Sequence, residues 1–229
     1  MPIVLKSVTN ANGNTGTLTF NHTVDAASNA IFVGVSIRNS TSQTVTGVAW
    51  FGPGDDVGVA FTVVKVKSNG TDVRAEIWEL LDPAITGAGQ ITVTLSATAK
   101  LVAGAIDLSG VDNTAIASNT ASNSGNDQTV TLTLTSTLDT SLCFDTAAVE
   151  YGSLVTLTVG GSQTQRWNDA TGTLLADVRG AGSTIAGNGS ITMTWAIGGV
   201  LNRQWASVAC EILASKGQPG QLAQIGVGQ

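Results

Sequence analysis

The chain holds one histidine, His22, and that sets a low ceiling on acid–base chemistry. A general acid or base must be a titrating group held at a cleft. A Ser–His–Asp relay would have to use His22, and no G-x-S-x-G elbow accompanies it. In GTLTFNHTV, His22 shares the parity of Leu18 and Phe20 near a strand end, which reads as a rim or partly buried structural histidine. Paired carboxylates are the other route, as in glycoside hydrolysis. Asp107 and Glu211 are the candidates, in the similar segments AGAIDLSG and SVACEILAS. Their matching places favour a shared structural role, hydrogen bonds to turn amides, over catalysis. Asp55 and Asp56 in GPGDDVG and Asp169 in WNDATG are oxygen-rich turns without EF-hand spacing, so they read as solvated turn residues rather than a calcium site. Cys143 and Cys210 lie in apolar runs and read as buried thiols, with a bridge open to them if their strands are neighbours. Together with His22 they cannot complete a zinc site without carboxylates. The expectation is no catalytic residue, no metal and no cofactor.

Aromatic stacking on sugars is the remaining chemistry. Trp195 is in phase with Ile191 and Met193 and reads as core, while Trp205 opposes Ala206, Val208 and Cys210 and reads as facing a second interface. Trp50 and Trp167 border turns and are the candidates for a glycan platform, with core capping as the competing reading. GAGSTIAGNG lacks the G-x-x-x-x-G-K-[ST] pattern and a following helix, so it reads as a hairpin loop, not a phosphate cradle.

The elements that must position these residues follow from composition and period. Charged residues make up 11% of 229 and hydrophobic ones 42%, against a usual charged share of roughly 25%. That is too apolar for a disordered chain. Ten basic residues against sixteen acidic ones make a poor nucleic-acid binder. No apolar run reaches the roughly 18 residues of a membrane span. MPIVLKSVTNANGN has no apolar h-region and no cleavage site, which implies an already removed leader or a route other than secretion.

Period-two alternation dominates, as in QTVTLTLTST, GTLTFNHTV, SITMTWAI and QITVTLSA. Other runs are apolar on both faces: IFVGVSI, VAFTVVKV, LVAGAIDL and WASVACEIL. These suit strands buried between layers or facing a second partner. Gly, Asn, Asp and Ser clusters separate the runs as turns. About fourteen strands result, and RAEIWELL, the best helical segment, also alternates acceptably as a strand. The fold class is all-β, a two-sheet jelly-roll-like sandwich.

An internal repeat runs through it. ITGAGQITVTLS matches IAGNGSITMTWA at an offset of 100, and GNTGTLTF matches GNDQTVTL at an offset of 112. The halves span about 13–111 and 125–213. They form one large sandwich with intermixed strands or two packed ones, and the single sandwich is favoured because no charged or Pro-rich linker divides them. Residues 1–12 and 214–229 are read as arms: MPIVLKSV as a strand for an exposed edge, and Leu222, Ile225 and Val227 as apolar contacts to a neighbouring subunit.

The ordered series IFVGVSIRN, TVTGVAWFG, AEIWELLDPAITGAGQITVTLS, AGAIDLSGVDNT and SQTQRWNDATG resembles a jelly-roll-like sandwich module of bacterial cell-surface proteins and tailed-phage structural proteins. The resemblance covers most of residues 13–213 through packing and turn motifs, and it carries no catalytic set. It implies a non-enzymatic structural protein of a phage virion, made in the host cytoplasm. A capsid decoration (cement) protein comes first, and a head fibre or tail component second. Its partners would be other copies of itself, as in a trimer, and a major capsid protein. The alternative is an extracellular carbohydrate-binding or adhesive module of a bacterial surface protein.

Overall fold

The computed structural model describes residues 1–38, 42–84, 86–114, 117 and 119–216. The strands are β1 (Val4–Val24), β2 (Ala30–Arg38), β3 (Val45–Phe51), β4 (Val59–Ala60), β5 (Thr62–Asn69), β6 (Val73–Leu81), β7 (Gly87–Ser109), β8 (Thr120–Asp127), β9 (Thr129–Thr137), β10 (Leu142–Glu150), β11 (Thr156–Val159), β12 (Thr164–Ala170), β13 (Val178–Ala186), β14 (Gly189–Gly198) and β15 (Arg203–Ile212). One 3-10 turn, Gly152–Leu154, precedes β11. The all-β class holds, and RAEIWELL is a strand, within β6. Alternation works as its period requires. In β9, Val130, Leu132 and Leu134 are buried, while Thr129, Thr133 and Thr135 are exposed.

β1 to β7 form one hydrogen-bonded sheet, ordered β4-β3-β7-β2-β6-β5 with β1 on β7. β1 and β7 are long enough to bend. Their register slips between Thr15/Ala99 and Thr17/Thr94, where a bulge lets the pair turn. The bend makes two layers. The outer one holds β4, β3 and residues 87–95 and 17–24; the inner one holds residues 4–15 and 99–109 with β2, β6 and β5. Leu18, Phe20, Trp50 and Ile91 of the outer layer share one core with Ile31, Val33, Val35 and Ile37 of the inner.

β8 to β15 repeat this plan in separate pieces. The sheet β12-β13-β10-β15-β8 reproduces the inner order β5-β6-β2-β7-β1, and β11-β14-β9 reproduces β3-β7-β1. Pairing fixes the equivalences: Ile31 with Cys143 and Asp107 with Glu211, Phe20 with Leu134. The offset expected as 112 for GNTGTLTF is 114 over residues 17–20. Parity is unchanged, so the same face is buried. The second half starts with β8 at Thr120, ahead of the start near residue 125 expected from the repeat. Residues 4–12, expected as an arm, are instead the first part of β1, paired to β7 of the same chain. The C-terminal residues Leu222, Ile225 and Val227 lie outside the described residues.

Among the described residues no sheet contains strands of both halves. The strands are therefore not intermixed as favoured: each half folds as its own two-layered sandwich, the first from one bent sheet and the second from two sheets, and the two pack through their inner layers. The cause was visible in the doubly apolar strands. β2, β6, β10 and β15 are buried on both faces, so each inner layer has a second face to cover. Odd-numbered residues of β2 enter the first core, while Ala30 and Phe32 join Phe144, Ala148 and Val208 between the halves.

Equivalent residues meet across that interface. Phe32 meets Phe144 edge-on, with ring centroids 6.2 Å apart. A Cβ on Gly34 would lie 2.8 Å from Cβ of its equivalent, Thr146. Arg38 approaches its equivalent, Glu150, at 3.8 Å. Reciprocally, β6 lies on β15 as β13 lies on β7, and β5 on β8 as β12 on β1. This is an isologous interface built inside one chain. Its pseudo-twofold axis runs between β2 and β10, parallel to them, so corresponding ends of the two halves lie side by side. Polar clasps close both rims: Asn10 and Asn12 donate to Asp169 Oδ2 at 2.9 and 2.8 Å, and Asn69 donates to the Gly125 carbonyl and Gln204 Oε1, each at 2.7 Å.

Candidate functional site

β1 places His22 with its side chain fully buried, as its shared parity with Leu18 and Phe20 requires. Its Nδ1 lies 2.8 Å from Thr9 Oγ1 and its Nε2 lies 3.4 Å from Ser7 Oγ. Asp107 Oδ1 is 3.8 Å from that same Nε2 and accepts from Ser7 N and Ser7 Oγ, both at 2.6 Å. Asp107 Oδ2 accepts from Asp25 N at 2.9 Å and Ser28 Oγ at 2.6 Å. A relay needs the carboxylate on one ring nitrogen and the hydroxyl on the other. Here the carboxylate stands 3.8 Å from Nε2, beyond hydrogen-bond reach, and accepts instead from the Ser7 hydroxyl, while the hydroxyl on Nδ1 is the half-buried Thr9 side chain of the same strand. Burial holds His22 below the usual histidine range, opposed by the nearby Asp107 charge. The arrangement ties β1, the β1–β2 turn and β7 together.

Glu211 plays the same part in the second half. Its Oε1 accepts from Leu138 N at 2.6 Å, and Oε2 accepts from Asn119 Nδ2 at 2.6 Å. Leu138 belongs to the β9–β10 turn, the counterpart of the β1–β2 turn. The sequence placed both carboxylates on turn amides, and that is where they bind. Asp55 Oδ1 accepts from Val57 N and Gly58 N within its own turn. The most protected carboxylate, Asp145, was not singled out by sequence. It is fully buried and accepts from Ser183 N, Ser183 Oγ and Trp195 Nε1 at 2.7–2.8 Å. Burial pushes its pKa up to about 6 against those donors.

The glycan platform is corrected. Trp50 is 0% exposed and Trp167 is 3% exposed, so neither offers a ring face to a sugar. Trp50 caps the first core and meets His22 edge-on. Trp167 lies between the halves, over Gly34, Gly104 and Gly182, where a Cβ at any of the three would overlap its ring. Bordering a turn says nothing about which way a ring faces. Cys143 and Cys210 are both buried and free. Their strands are neighbours, but Cys143 faces the second core and Cys210 the interface between halves.

Two surface features lie at opposite ends of the second half, the second of them shared with the start of the first half. At the end where β10, β12 and β14 finish, Leu154, Leu174, Leu175, Val200 and Leu201 stand 53–93% exposed. Their loops interlock: Ser153 N donates to the Gly172 carbonyl at 2.8 Å, Tyr151 N donates to the Asp177 carbonyl at 2.9 Å, and Arg203 stacks 4.4 Å over the Tyr151 ring. At the opposite end a groove of about 600 Å³ is lined by Ile3, Leu142, Ala186 and Ala214, beside Asp139 and Lys216. Sequence reasoning passed over the five loop residues because they sit in Gly-containing turn segments, YGSLV, TGTLLAD and IGGVLNR. The signal was present as adjacent aliphatics inside turn chemistry, which ordinarily excludes them. No helix among the described residues is long and apolar enough to cross a membrane.

No family model matches the sequence, and no curated protein matches it. Solved structures are similar only remotely. A biofilm associated protein BSP domain aligns with 92% of this chain and 50% of its own length, at 10% identity and a TM-score of 0.31. A biofilm associated protein B domain aligns over 91% of this chain and 72% of its own, at 8% identity and a TM-score of 0.27. A crystal structure of Cucumber Necrosis Virus aligns over 83% of this chain and 79% of its own, at 9% identity and a TM-score of 0.29. The chain thus spans half the length of the first of these, and likeness at this level assigns it to no family.

Proposed function

We propose that this chain is non-enzymatic building material: a structural protein of a phage virion, a capsid decoration protein in the first place and a fibre or tail component in the second. The observation that carries this reading is the disposition of its reactive groups. His22, Asp107, Asp145 and Glu211 are buried and consumed in bonds that fasten turns and strands. The surface presents threonine ribbons, such as Thr129, Thr133 and Thr135 on β9, and an aliphatic loop end. Such a body acts by shape, and many weak contacts on a lattice multiply through effective concentration. Microscopy of the native particle tests it. Density for a double sandwich repeating on the shell or along a fibre is the expected result. Turnover of a glycan that Asp107→Asn abolishes, in a variant that keeps its thermal transition, would overturn it.

A further inference from the structure

We infer that the chain carries a knob and a socket for its own kind: the aliphatic loop end of the second half of one copy seats in the groove at the opposite end of the next, on the apolar wall that Ile3, Leu142, Ala186 and Ala214 form between Asp139 and Lys216, joining copies head to tail. The inference goes beyond the function proposed above and does not need it, because self-association would hold for any host structure.

The two halves supply an internal control. Relative to the first half, each connection at the knob end is longer. The offset rises from 112 to 114 between β10 and β11, from 102 to 105 between β12 and β13, and from 100 to 104 between β14 and β15. The added length is where Leu154, Leu174, Leu175, Val200 and Leu201 cluster, whereas exposed apolar side chains elsewhere, such as Val57 and Leu138, stand singly. In the first half the corresponding turns carry Gly70, Thr71 and Asp72, and Ser96, Ala97 and Thr98. At the other end the second half is shorter. Its offset falls from 114 to 112 between β9 and β10 and from 105 to 100 between β13 and β14. Those shortened turns, around Leu142 and Ala186, border the groove. One half has thus gained a protrusion at its top and lost cover at its bottom.

The chemistry of the two surfaces matches. Residues 151–155, 171–176 and 198–202 include no charged side chain. Exposed aliphatics clustered this way mark an interaction site rather than ordinary surface. Lipid is the poorer occupant, since a membrane-seated tip wants free basic side chains at its collar. The arginines here are engaged: Arg203 on the Tyr151 ring, and Arg179 on Asn168 Oδ1 at 2.6 Å. A groove of about 600 Å³ suits a few aliphatic side chains. β15 runs from the knob at Arg203 to the groove beyond Ile212, roughly 30 Å at strand rise. Because knob and socket are different surfaces at opposite ends of one axis, the contact is heterologous and propagates into a fibre or ring.

Sedimentation velocity of the full chain across a concentration series tests this. The native chain is expected to form species that lengthen with concentration. Val200→Asp/Leu201→Asp in the knob and Ala186→Arg in the groove, both exposed positions, each weaken association by roughly tenfold or more, since a charge must be desolvated. Unchanged circular dichroism and melting show that the variants fold. The decisive arm is mixing: the knob variant and the groove variant together form a dimer and nothing larger, because one intact socket meets one intact knob. Deleting residues 217–229, which lie outside the described residues, leaves association in place. A chain monomeric at every concentration, a groove variant that associates normally, or association abolished by the deletion would overturn the inference.

Discussion

Where β12 of the second half carries Trp167, β5 of the first half carries Lys65. Both strands bulge just before that residue, between Gln165 and Trp167 and between Val63 and Lys65. The surroundings have changed in step. Trp167 lies over Gly34, Gly104 and Gly182, whose counterparts across the pseudo-twofold axis are Thr146, Val208 and Ile77. A bulky ring with three glycines on one side balances a half-buried lysine with three larger residues on the other. A duplicated interface can thus lose its chemical symmetry while keeping its packing, provided volume is conserved.

The sharpest way to break this comparison is to truncate both members. Trp167→Ala should cost about 4–5 kcal/mol, the price of a large interior cavity, whereas Lys65→Ala should cost about 0.5 kcal/mol or less. Trp167 Nε1 has no hydrogen-bond partner among the described residues, so Trp167→Phe should recover most of the loss. Urea unfolding of the three variants reads this directly. Equal losses at positions 65 and 167 would show that the ring is not the keystone of the interface.

The turn carboxylates come next. Asp107 receives two backbone amides and two hydroxyls, and Glu211 receives one amide and one side-chain amide. Each orphaned buried donor costs roughly 1–3 kcal/mol. Asp107→Ala should therefore lose about 4 kcal/mol and Glu211→Ala about 2 kcal/mol. Hydrogen exchange should localise the first loss to the β1–β2 turn and the second to the β9–β10 turn. A cost for Glu211→Ala as large as that for Asp107→Ala would mean that the two turns are fastened by other means.

Two buried groups, one in each half, respond to pH with opposite sign. Asp145 in the second half binds its proton more tightly when folded, with its pKa moved from 3.8 to about 6. Between those values the folded state holds a proton that the unfolded chain has released, so stability falls as pH rises, by up to about 3 kcal/mol. His22 in the first half is held below 6.5. There the unfolded chain binds the extra proton, so stability falls as pH drops below 6.5. The first half has Val33 and Leu95 where the second has Asp145 and Trp195. In Asp145→Val/Trp195→Leu the Asp145 contribution is gone, and the loss of melting temperature as pH rises from 3.8 to about 6 should flatten relative to the parent chain. A decline as steep as the parent's would place the titrating group elsewhere.

Much of this was legible because strand chemistry is local. Parity placed Trp195 and the β9 threonines correctly and put His22 on the core face, though inside it and not at the rim as expected, since a period of two needs no knowledge of the partner strand. Asp107 and Glu211 were assigned to turn amides from their matching places in the repeat. The doubly apolar runs announced a second packing face but not its owner, because a strand covered by its own half and one covered by another half look alike in sequence. Trp167 was missed for the same reason: the glycines that receive it lie 133, 63 and 15 residues away in the chain, counted from Gly34, Gly104 and Gly182. The knob escaped because its meaning is relative. Val200 and Leu201 stand out only once the equivalent turn at Ser96–Thr98 is known to be shorter and polar.

The smallest effect separates the halves most finely. Cys143 and Cys210 stand where the first half has Ile31 and Ile106. Phe144 pairs with Cys210, so Cys143 is one residue from the cross-strand partner of Cys210, and consecutive residues of a strand point to opposite faces. A disulfide needs Cβ atoms about 3.8 Å apart on one side of the sheet, which this register forbids. Burial raises both thiols, Cys143 to about 12, so neither supplies a thiolate at neutral pH. Reductant should therefore leave the melting temperature unchanged, and thiol labelling should find two groups only after unfolding. Cys143→Ala and Cys210→Ala should each cost about 1 kcal/mol, the loss of one small apolar group from a packed site. A reductant-sensitive transition would show the two strands sliding by one residue in solution, and with that slip the equivalence of Asp107 and Glu211 would also be lost.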